Sequence, residues 1–197
     1  MSFVVLWFLG LYFQLTTPQF QLSIFVNSLN SPLADSMMIY TTYAGDGLFL
    51  LFIGLVLVAF NRSLWLVTLL SLSVPSLITQ LLKRTIFEDS HRPALLMAQI
   101  PELHYVEGVL MNQYNSFPSG HTTAAFSLYT LLALLSISKK NGWFWAVIAA
   151  AVGLSRVYLL QHFWADIMAG SILAVCVVTF IYTFFAAKLR VDEITPE

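Results

Sequence analysis

Long apolar runs separated by short polar breaks limit this chain's fold more than any other feature of its sequence. The clearest cover residues 64–82, 122–137, 143–160 and 163–187, and two shorter runs cover 47–60 and 3–15. A helix crossing a bilayer needs roughly 20 apolar residues, because its backbone must satisfy its own hydrogen bonds where no water can help. A water-soluble domain usually carries about 25% charged residues. This chain carries 10%, against 58% hydrophobic and 15% aromatic. So few charges cannot cover a soluble surface, and lipid must serve as solvent for much of it. The expected fold is all-α: a polytopic membrane helical bundle of about six transmembrane helices, built as a single integral-membrane domain over residues 1–197.

The ends and connections refine this expectation. The chain is apolar from Met1 onward, without the basic segment and small-residue cleavage site of a signal peptide, so residues 3–15 are read as a retained span. That run is short and would have to thin the bilayer locally. Residues 16–46 mix polar and apolar side chains, the pattern of one or two short interfacial helices or of a connecting loop. Residues 84–117 form a long connection with Pro93, Pro101, four acids, His91 and His104. A loop of that length in a compact domain usually has a job, while the two histidines are read as solvated loop residues. Cys176 is the only cysteine, which excludes an intrachain disulfide, and it is expected to pack inside its apolar run. Trp143, Trp145 and Trp164 stand near span ends and read as interfacial anchors. A net charge of −1 argues against a nucleic-acid partner, which would call for a basic face.

Charge placement orients the bundle. With Met1 in the cytoplasm, Arg62, Lys139, Lys140, Lys188 and Arg190 fall on the cytoplasmic side, as the positive-inside rule expects. Lys83, Arg84, Arg92 and Arg156 fall on the opposite face, together with Asp35, Asp46, Glu88, Asp89, Glu102, Glu107 and Asp166. Basic residues placed against the rule need a reason, and binding an anion is one.

The same face collects residues with chemistry. Lys83-Arg84 ends the third run and Arg92-Pro93 follows. Pro118-Ser119-Gly120-His121 opens the fourth, Ser155-Arg156 nears the end of the fifth, and His162 and Asp166 begin the sixth. Ser119 can cap a helix, and Gly120 allows a ligand close to the backbone, where free amides favour an anion. Arg92 and Arg156 can offer planar, bidentate hydrogen bonds to phosphate oxygens, and Lys83 adds a point charge. His162 and Asp166 are four apart, which on a helix puts them on one face. There the carboxylate can hold one ring nitrogen and leave the other free to attack. His121, from another helix, can protonate a leaving oxygen.

Each piece alone has a plainer reading. A His-x-x-x-Asp pair is commonly a structural hydrogen bond, any helix can open on Pro-Ser-Gly-His, and Arg156 could snorkel to the interface. Their concentration on one membrane face outweighs these readings, since intramembrane ionisable groups are costly and tend to be functional. A metal site would compete for His121, His162 and Asp166, but Lys83, Arg92 and Arg156 would repel a divalent ion and attract phosphate.

These residues resemble the type 2 phosphatidic acid phosphatase superfamily, whose active site is related to that of the vanadium haloperoxidases. That family carries a Lys…Arg-Pro element, then Pro-Ser-Gly-His, then Ser-Arg-x5-His-x3-Asp. The second stands intact at residues 118–121 and the third from Ser155 to Asp166. The resemblance covers roughly residues 64–187. The first element departs from the common spacing: eight residues separate Lys83 from Arg92 where six are typical, and seven separate Arg84 from it. Lys83 is the natural match and Arg84 its rival, with the extra length taken up through Phe87-Glu88-Asp89.

The resemblance implies a site in which Lys83, Arg92, Ser119, Gly120 and Arg156 bind phosphoryl oxygens. It implies that His162 attacks phosphorus, oriented by Asp166, to form a phosphohistidine, and that His121 serves as the acid. The implied activity is hydrolysis of a membrane-resident lipid phosphate such as undecaprenyl diphosphate, phosphatidylglycerol phosphate or phosphatidic acid, with no metal or other cofactor. The implied location is a bacterial inner membrane, with the site facing the periplasm or exterior. A lipid phosphotransferase would share the phosphohistidine step, and a non-catalytic lipid-binding or transport protein would not need the His162–Asp166 pair. The haloperoxidases are soluble, which this composition is not.

Overall fold

The computed structural model describes residues 2–189. Among the described residues all regular structure is helical. The α-helices are α1 Ser2–Thr16, α2 Gln19–Ser28, α3 Pro32–Tyr43, α4 Gly47–Phe60, α5 Trp65–Thr85, α6 Pro93–Leu96, α7 Gly120–Leu135, α8 Gly142–Tyr158 and α9 Trp164–Leu189, with short 3-10 turns at Arg62–Leu64 and Lys139–Asn141.

Local chemistry places the breaks. Pro18, which has no amide hydrogen to give, stands at the sharp corner between α1 and α2, which bend by 112°. Ser31 caps α3 by accepting from the Ala34 amide at 3.1 Å, with Pro32 at the first helical position. Asp46 caps α4 through the Leu48 amide at 2.8 Å, and α3 and α4 meet at 53°. The mixed stretch 16–46 is thus mostly two short helices, α2 and α3.

Helix α7 is the axis of the bundle, buried continuously from Thr122 to Leu131. It packs against α5, α8 and α9, while α1 lies over α8 and α9, and α3 over α8. Ala124, Ala125, Ala149 and Ala174 are buried with Leu128, Tyr129 and Val152 in one cluster. Small side chains bring helix backbones close, which is how helices associate in lipid, where burying apolar area gains little.

By length and apolarity, Arg62–Thr85 and Trp164–Phe185 can each cross a bilayer alone. The pairs α1 with α2 and α3 with α4 reach that length only when joined across their bends, and α7 and α8 are shorter apolar helices. Length alone therefore supports two to four crossings rather than the expected six. The shortfall is geometric: at 1.5 Å per residue the 14 residues of α4 reach only ~21 Å of a hydrocarbon layer about 30 Å thick.

Two expectations change. Cys176 is exposed on the flank of α9 rather than packed. His104 is no free loop residue: its Nε2 lies 2.8 Å from Asp35 Oδ2, and its backbone amide donates to Asn27 Oδ1 at 2.8 Å. Arg190, one of the basic residues expected on the cytoplasmic side, lies outside the described residues.

Candidate active site

The last turn of α5, the first turns of α7 and α9, the end of α8 and the two ends of the 84–117 loop meet at one end of the bundle. The loop is folded onto itself. The Arg92 amide donates to the Gln113 carbonyl at 2.8 Å, and the Ser116 amide donates to the Ser90 carbonyl at 3.0 Å. The turn expected at Phe87-Glu88-Asp89 is present, closed by the Ser90 amide on the Phe87 carbonyl at 3.1 Å. It brings Arg92 back over the end of α5.

The end of α8 sets the next pieces. Leu160 adopts φ 54°, the left-handed conformation that closes many helices. The Gln161 amide then reaches back to the Arg156 carbonyl at 2.9 Å, and the Leu160 amide to the Val157 carbonyl at 3.0 Å. This is a Schellman motif, and it folds Gln161 and His162 directly back toward Arg156. The chain then enters α9 at Trp164, so His162 stands in the turn before that helix and not on one helical face with Asp166, as the spacing alone suggested. The pairing survives by another route. Asp166 reaches back to cap the helix start, its Oδ2 accepting from the Phe163 amide at 2.9 Å. The same oxygen lies 3.2 Å from His162 Nδ1 and accepts from Ser116 Oγ at 2.5 Å.

With Nδ1–H turned to Asp166, His162 Nε2 is left with its lone pair, 3.5 Å from an Arg92 guanidinium nitrogen. The ring is only 1% exposed. Burial holds it well below its ordinary protonation range, and the charges of Arg92, Arg156, Lys83 and His121 push the same way. An imidazole held at Nδ1 by a carboxylate, with its Nε2 lone pair met by Arg92 at a long 3.5 Å, has the chemistry a nucleophile needs.

Three buried cations surround it. Lys83 turns inward from α5, its Nζ on the Asn115 carbonyl at 2.7 Å, whereas Arg84 is exposed. Of the two rivals, Lys83 is therefore the one at the site. Arg92 donates from Nε to the Tyr114 carbonyl at 2.9 Å and from another nitrogen to the Gln161 carbonyl at 3.0 Å. Arg156 donates to Thr42 Oγ1 on α3 at 2.6 Å, while its buried Nε has no hydrogen-bond partner among the described residues. These bonds go largely to neutral acceptors, which leaves the positive charge of the cluster uncompensated except by Asp166. Such a cluster suits an anion.

Ser119 caps α7, its Oγ accepting from the Thr122 amide at 3.4 Å and the Thr122 hydroxyl at 2.9 Å. Its own amide donates to the Asp166 carbonyl at 3.0 Å, which joins the starts of α7 and α9. A Cβ placed on Gly120 would meet nothing within 4 Å, so the helix opens onto free space. His121 follows in the first turn of α7; among the described residues no side chain hydrogen-bonds its ring. A Cβ on Gly45 would come within 2.7 Å of the His121 carbonyl oxygen, so the corner between α3 and α4 presses directly on this residue.

Four contributors were not singled out in the sequence. Ser116 holds Asp166, Gln161 touches both arginines, Thr42 holds Arg156, and Asn115 presents its carbonyl to Lys83. Asn115 adopts φ 56°, which Asn tolerates better than most residues. Ser116 and Gln161 adjoin or lie within the motifs already quoted, but nothing in their residue type marks them. Thr42 is more than a hundred residues away from its partner in sequence. Among the described residues no group of three His, Cys, Asp or Glu side chains is placed to hold a metal ion.

The sequence profile of the PAP2 superfamily matches residues 63–190, well over half of the chain. The chain belongs to that superfamily, the type 2 phosphatidic acid phosphatases. The matched segment runs from the start of α5 through α9 and contains Lys83, Arg92, Ser119, Gly120, His121, Arg156, His162 and Asp166, while Thr42 on α3 lies outside it. The bacitracin transport permease protein BcrC of Bacillus licheniformis is 44% identical over 68 residues, 34% of this chain and 32% of that protein. The undecaprenyl-diphosphatase BcrC of Bacillus subtilis is 32% identical over 75 residues, 38% of this chain and 37% of that protein. The aligned part of the chain thus spans about a third of the length of these curated relatives. Among solved structures, a transmembrane PAP2-type phosphatidylglycerolphosphate phosphatase from Bacillus subtilis superposes with a TM-score of 0.71 at 26% identity, covering 94% of this chain and 95% of that one. The PAP2 architecture therefore extends over α1–α4 as well as the profile-matched core.

Proposed function

We propose that this PAP2 protein is a membrane lipid phosphate phosphatase that works through a phosphohistidine on His162 without a metal ion. The observation carrying the reading is the buried His162, whose Nδ1 lies 3.2 Å from Asp166 Oδ2 and whose Nε2 lies 3.5 Å from Arg92. The charges of Arg156 and Lys83 bear on the same ring.

The chemistry follows from that placement. Lys83, Arg92, Arg156, the Ser119 hydroxyl and the Gly120 amide bind the phosphoryl oxygens. His162 Nε2 attacks phosphorus while the bond to the lipid oxygen breaks, and His121 gives that oxygen a proton. The lipid alcohol, or the lipid monophosphate from a diphosphate, departs. Water, losing a proton to His121, then cleaves the phosphorus–nitrogen bond and releases inorganic phosphate. The phosphoryl transition state spreads negative charge over its equatorial oxygens, so preplaced cations supply most of the acceleration.

The substrate is a lipid with a terminal phosphomonoester or diphosphate: undecaprenyl diphosphate, phosphatidylglycerol phosphate or phosphatidic acid. The names of the relatives and of the solved neighbour support the first two. An apolar groove of about 410 Å³ between α1, α7, α8 and α9 gives a tail somewhere to lie. It reaches Thr122 and Trp164, one residue past His121 and two past His162. The bundle crosses the bilayer six times, through α1, α4, α5, α7, α8 and α9, with the site on the face opposite the Arg62 turn. That is the periplasmic or outer side of a bacterial inner membrane. Phosphate release from the three lipids by the purified protein in detergent with EDTA tests the reading. Activity is expected on at least one of them and is expected to be lost in His162→Ala. A His162→Ala protein as active as wild type would overturn the mechanism.

A further inference from the structure

We propose that Gln161 is a positioning residue that holds the Arg92 and Arg156 guanidiniums at the spacing a phosphoryl group requires. The inference rests on the reading that these arginines bind phosphate. Two guanidinium cations in one buried site repel each other, and something must hold them together before substrate arrives. The side-chain oxygen of Gln161 lies between them, accepting from Arg92 at 3.3 Å and from Arg156 at 3.5 Å. Its main-chain oxygen takes a second bond from Arg92 at 3.0 Å. One residue thus meets both cations.

The amide cannot turn round. Its nitrogen end is engaged by the Leu110 carbonyl at 2.9 Å and faces the Met111 sulfur at 3.3 Å, which leaves only the oxygen end for the arginines. Gln161 is 3% exposed, and a buried primary amide is costly unless bonded at both ends. The helix-end geometry makes the choice of residue notable. In a Schellman motif the residue two past the cap commonly makes an apolar contact with the third residue from the helix end. Here those positions are Gln161 and Arg156, both buried and both polar. The stabilising apolar contact has been given up for a hydrogen-bonding one.

Gln suits the role better than Glu would. A carboxylate of the same length would form ion pairs with both arginines and compete with the substrate for them. A neutral amide oxygen holds the cations and leaves their charge for phosphate. Its contacts at 3.3 and 3.5 Å are long for hydrogen bonds, so an entering phosphoryl oxygen can displace them at little cost.

The test uses the full-length protein in detergent, with Gln161→Met, which keeps length but cannot accept strongly, and Gln161→Glu, which keeps shape but adds charge. The readouts are the inhibition constant of inorganic phosphate, KM and kcat for the lipid phosphate that wild type cleaves best, and Tm. A positioning role predicts that Gln161→Met raises both the phosphate inhibition constant and KM about 10-fold, with a smaller fall in kcat. Gln161→Glu raises them further, and the excess shrinks as pH is lowered toward the carboxyl range. Wild-type phosphate affinity and KM in Gln161→Met, or indistinguishable effects of the two variants, would overturn the proposal. If Gln161→Met does not fold, wild-type phosphate affinity in Gln161→Glu overturns it equally. These outcomes leave wild-type activity intact, so they are distinct from failure of the phosphatase reading, in which wild type itself releases no phosphate.

Discussion

The Nδ1 atom of His162 lies 3.2 Å from Oδ2 of Asp166, and that oxygen also accepts from Ser116 Oγ and the Phe163 amide. The carboxylate is fixed by two other donors before it meets the imidazole, so it can fix the ring in turn. Replacing Asp166 by Asn leaves the size and removes the charge that stabilises the developing phosphohistidine. Asp166→Asn is expected to lower kcat for phosphate release about 10²–10⁴-fold with little change in KM. Ser116→Ala, one step removed, is expected to cost about 10-fold. Equal losses in the two variants would contradict this order.

The pH dependence follows from the burial of His162. Attack requires the unprotonated ring, whose population falls as pH drops through its folded pKa. That value is held below the ordinary 6.5, so the limb of kcat/KM set by His162 belongs below pH 6.5. A limb assigned to His162 and centred at or above 6.5 would mean that the ring is more solvated than the structure shows.

Gly120 and Gly170 make opposite predictions from the same substitution. A Cβ on Gly120 meets nothing within 4 Å among the described residues but enters the space at the start of α7, so Gly120→Ala is expected to weaken phosphate inhibition and leave Tm unchanged. A Cβ on Gly170 would lie 2.8 Å from the Ser119 carbonyl and 2.9 Å from Thr123 Oγ1. Gly170→Ala is therefore expected to lower Tm and activity together, by forcing α9 away from the capped start of α7. Thermal unfolding in detergent and phosphate inhibition, measured on both variants, separate the two effects.

Leu160 is caught between backbone and packing. It carries a left-handed φ that costs a non-glycine residue roughly 1–2 kcal/mol, yet its side chain is fully buried with Met97, Leu103 and Phe163. Leu160→Ala loses the packing and keeps the strain, whereas Leu160→Gly loses the packing and relieves the strain. Leu160→Gly is expected to be at least as stable as Leu160→Ala, the reverse of their order inside a helix. A lower Tm for Leu160→Gly would count against the Schellman closure.

The legible parts of the site were those governed by local rules. Ser119 followed by Gly120 announces a capped helix start, and four-residue spacing pairs His162 with Asp166 whether or not a helix carries both. Their convergence with Lys83, Arg92 and Arg156 could be read because charges on one side of a membrane protein are few. What stayed hidden depends on long-range geometry. Thr42 and Gln161 are ordinary residue types whose importance appears only when α3 and the end of α8 are placed beside the arginines. His104 looked solvated because its partner, Asp35, lies in a distant helix. The apolar runs did not fix the number of crossings for a related reason. Apolar runs mark helices well, but the bends at Pro18 and near Gly45 decide how much of each run is one straight rod.

The central claim is that His162 carries the phosphoryl group. The most direct test is to mix the purified protein with a lipid phosphate labelled in its terminal phosphate, quench within one turnover, and locate the label by mass spectrometry under alkaline conditions that preserve phosphohistidine. The account predicts a phosphoryl adduct on His162 that is stable in base, labile in acid and absent from His162→Ala. Turnover with no adduct, or with the label on another residue, would contradict it.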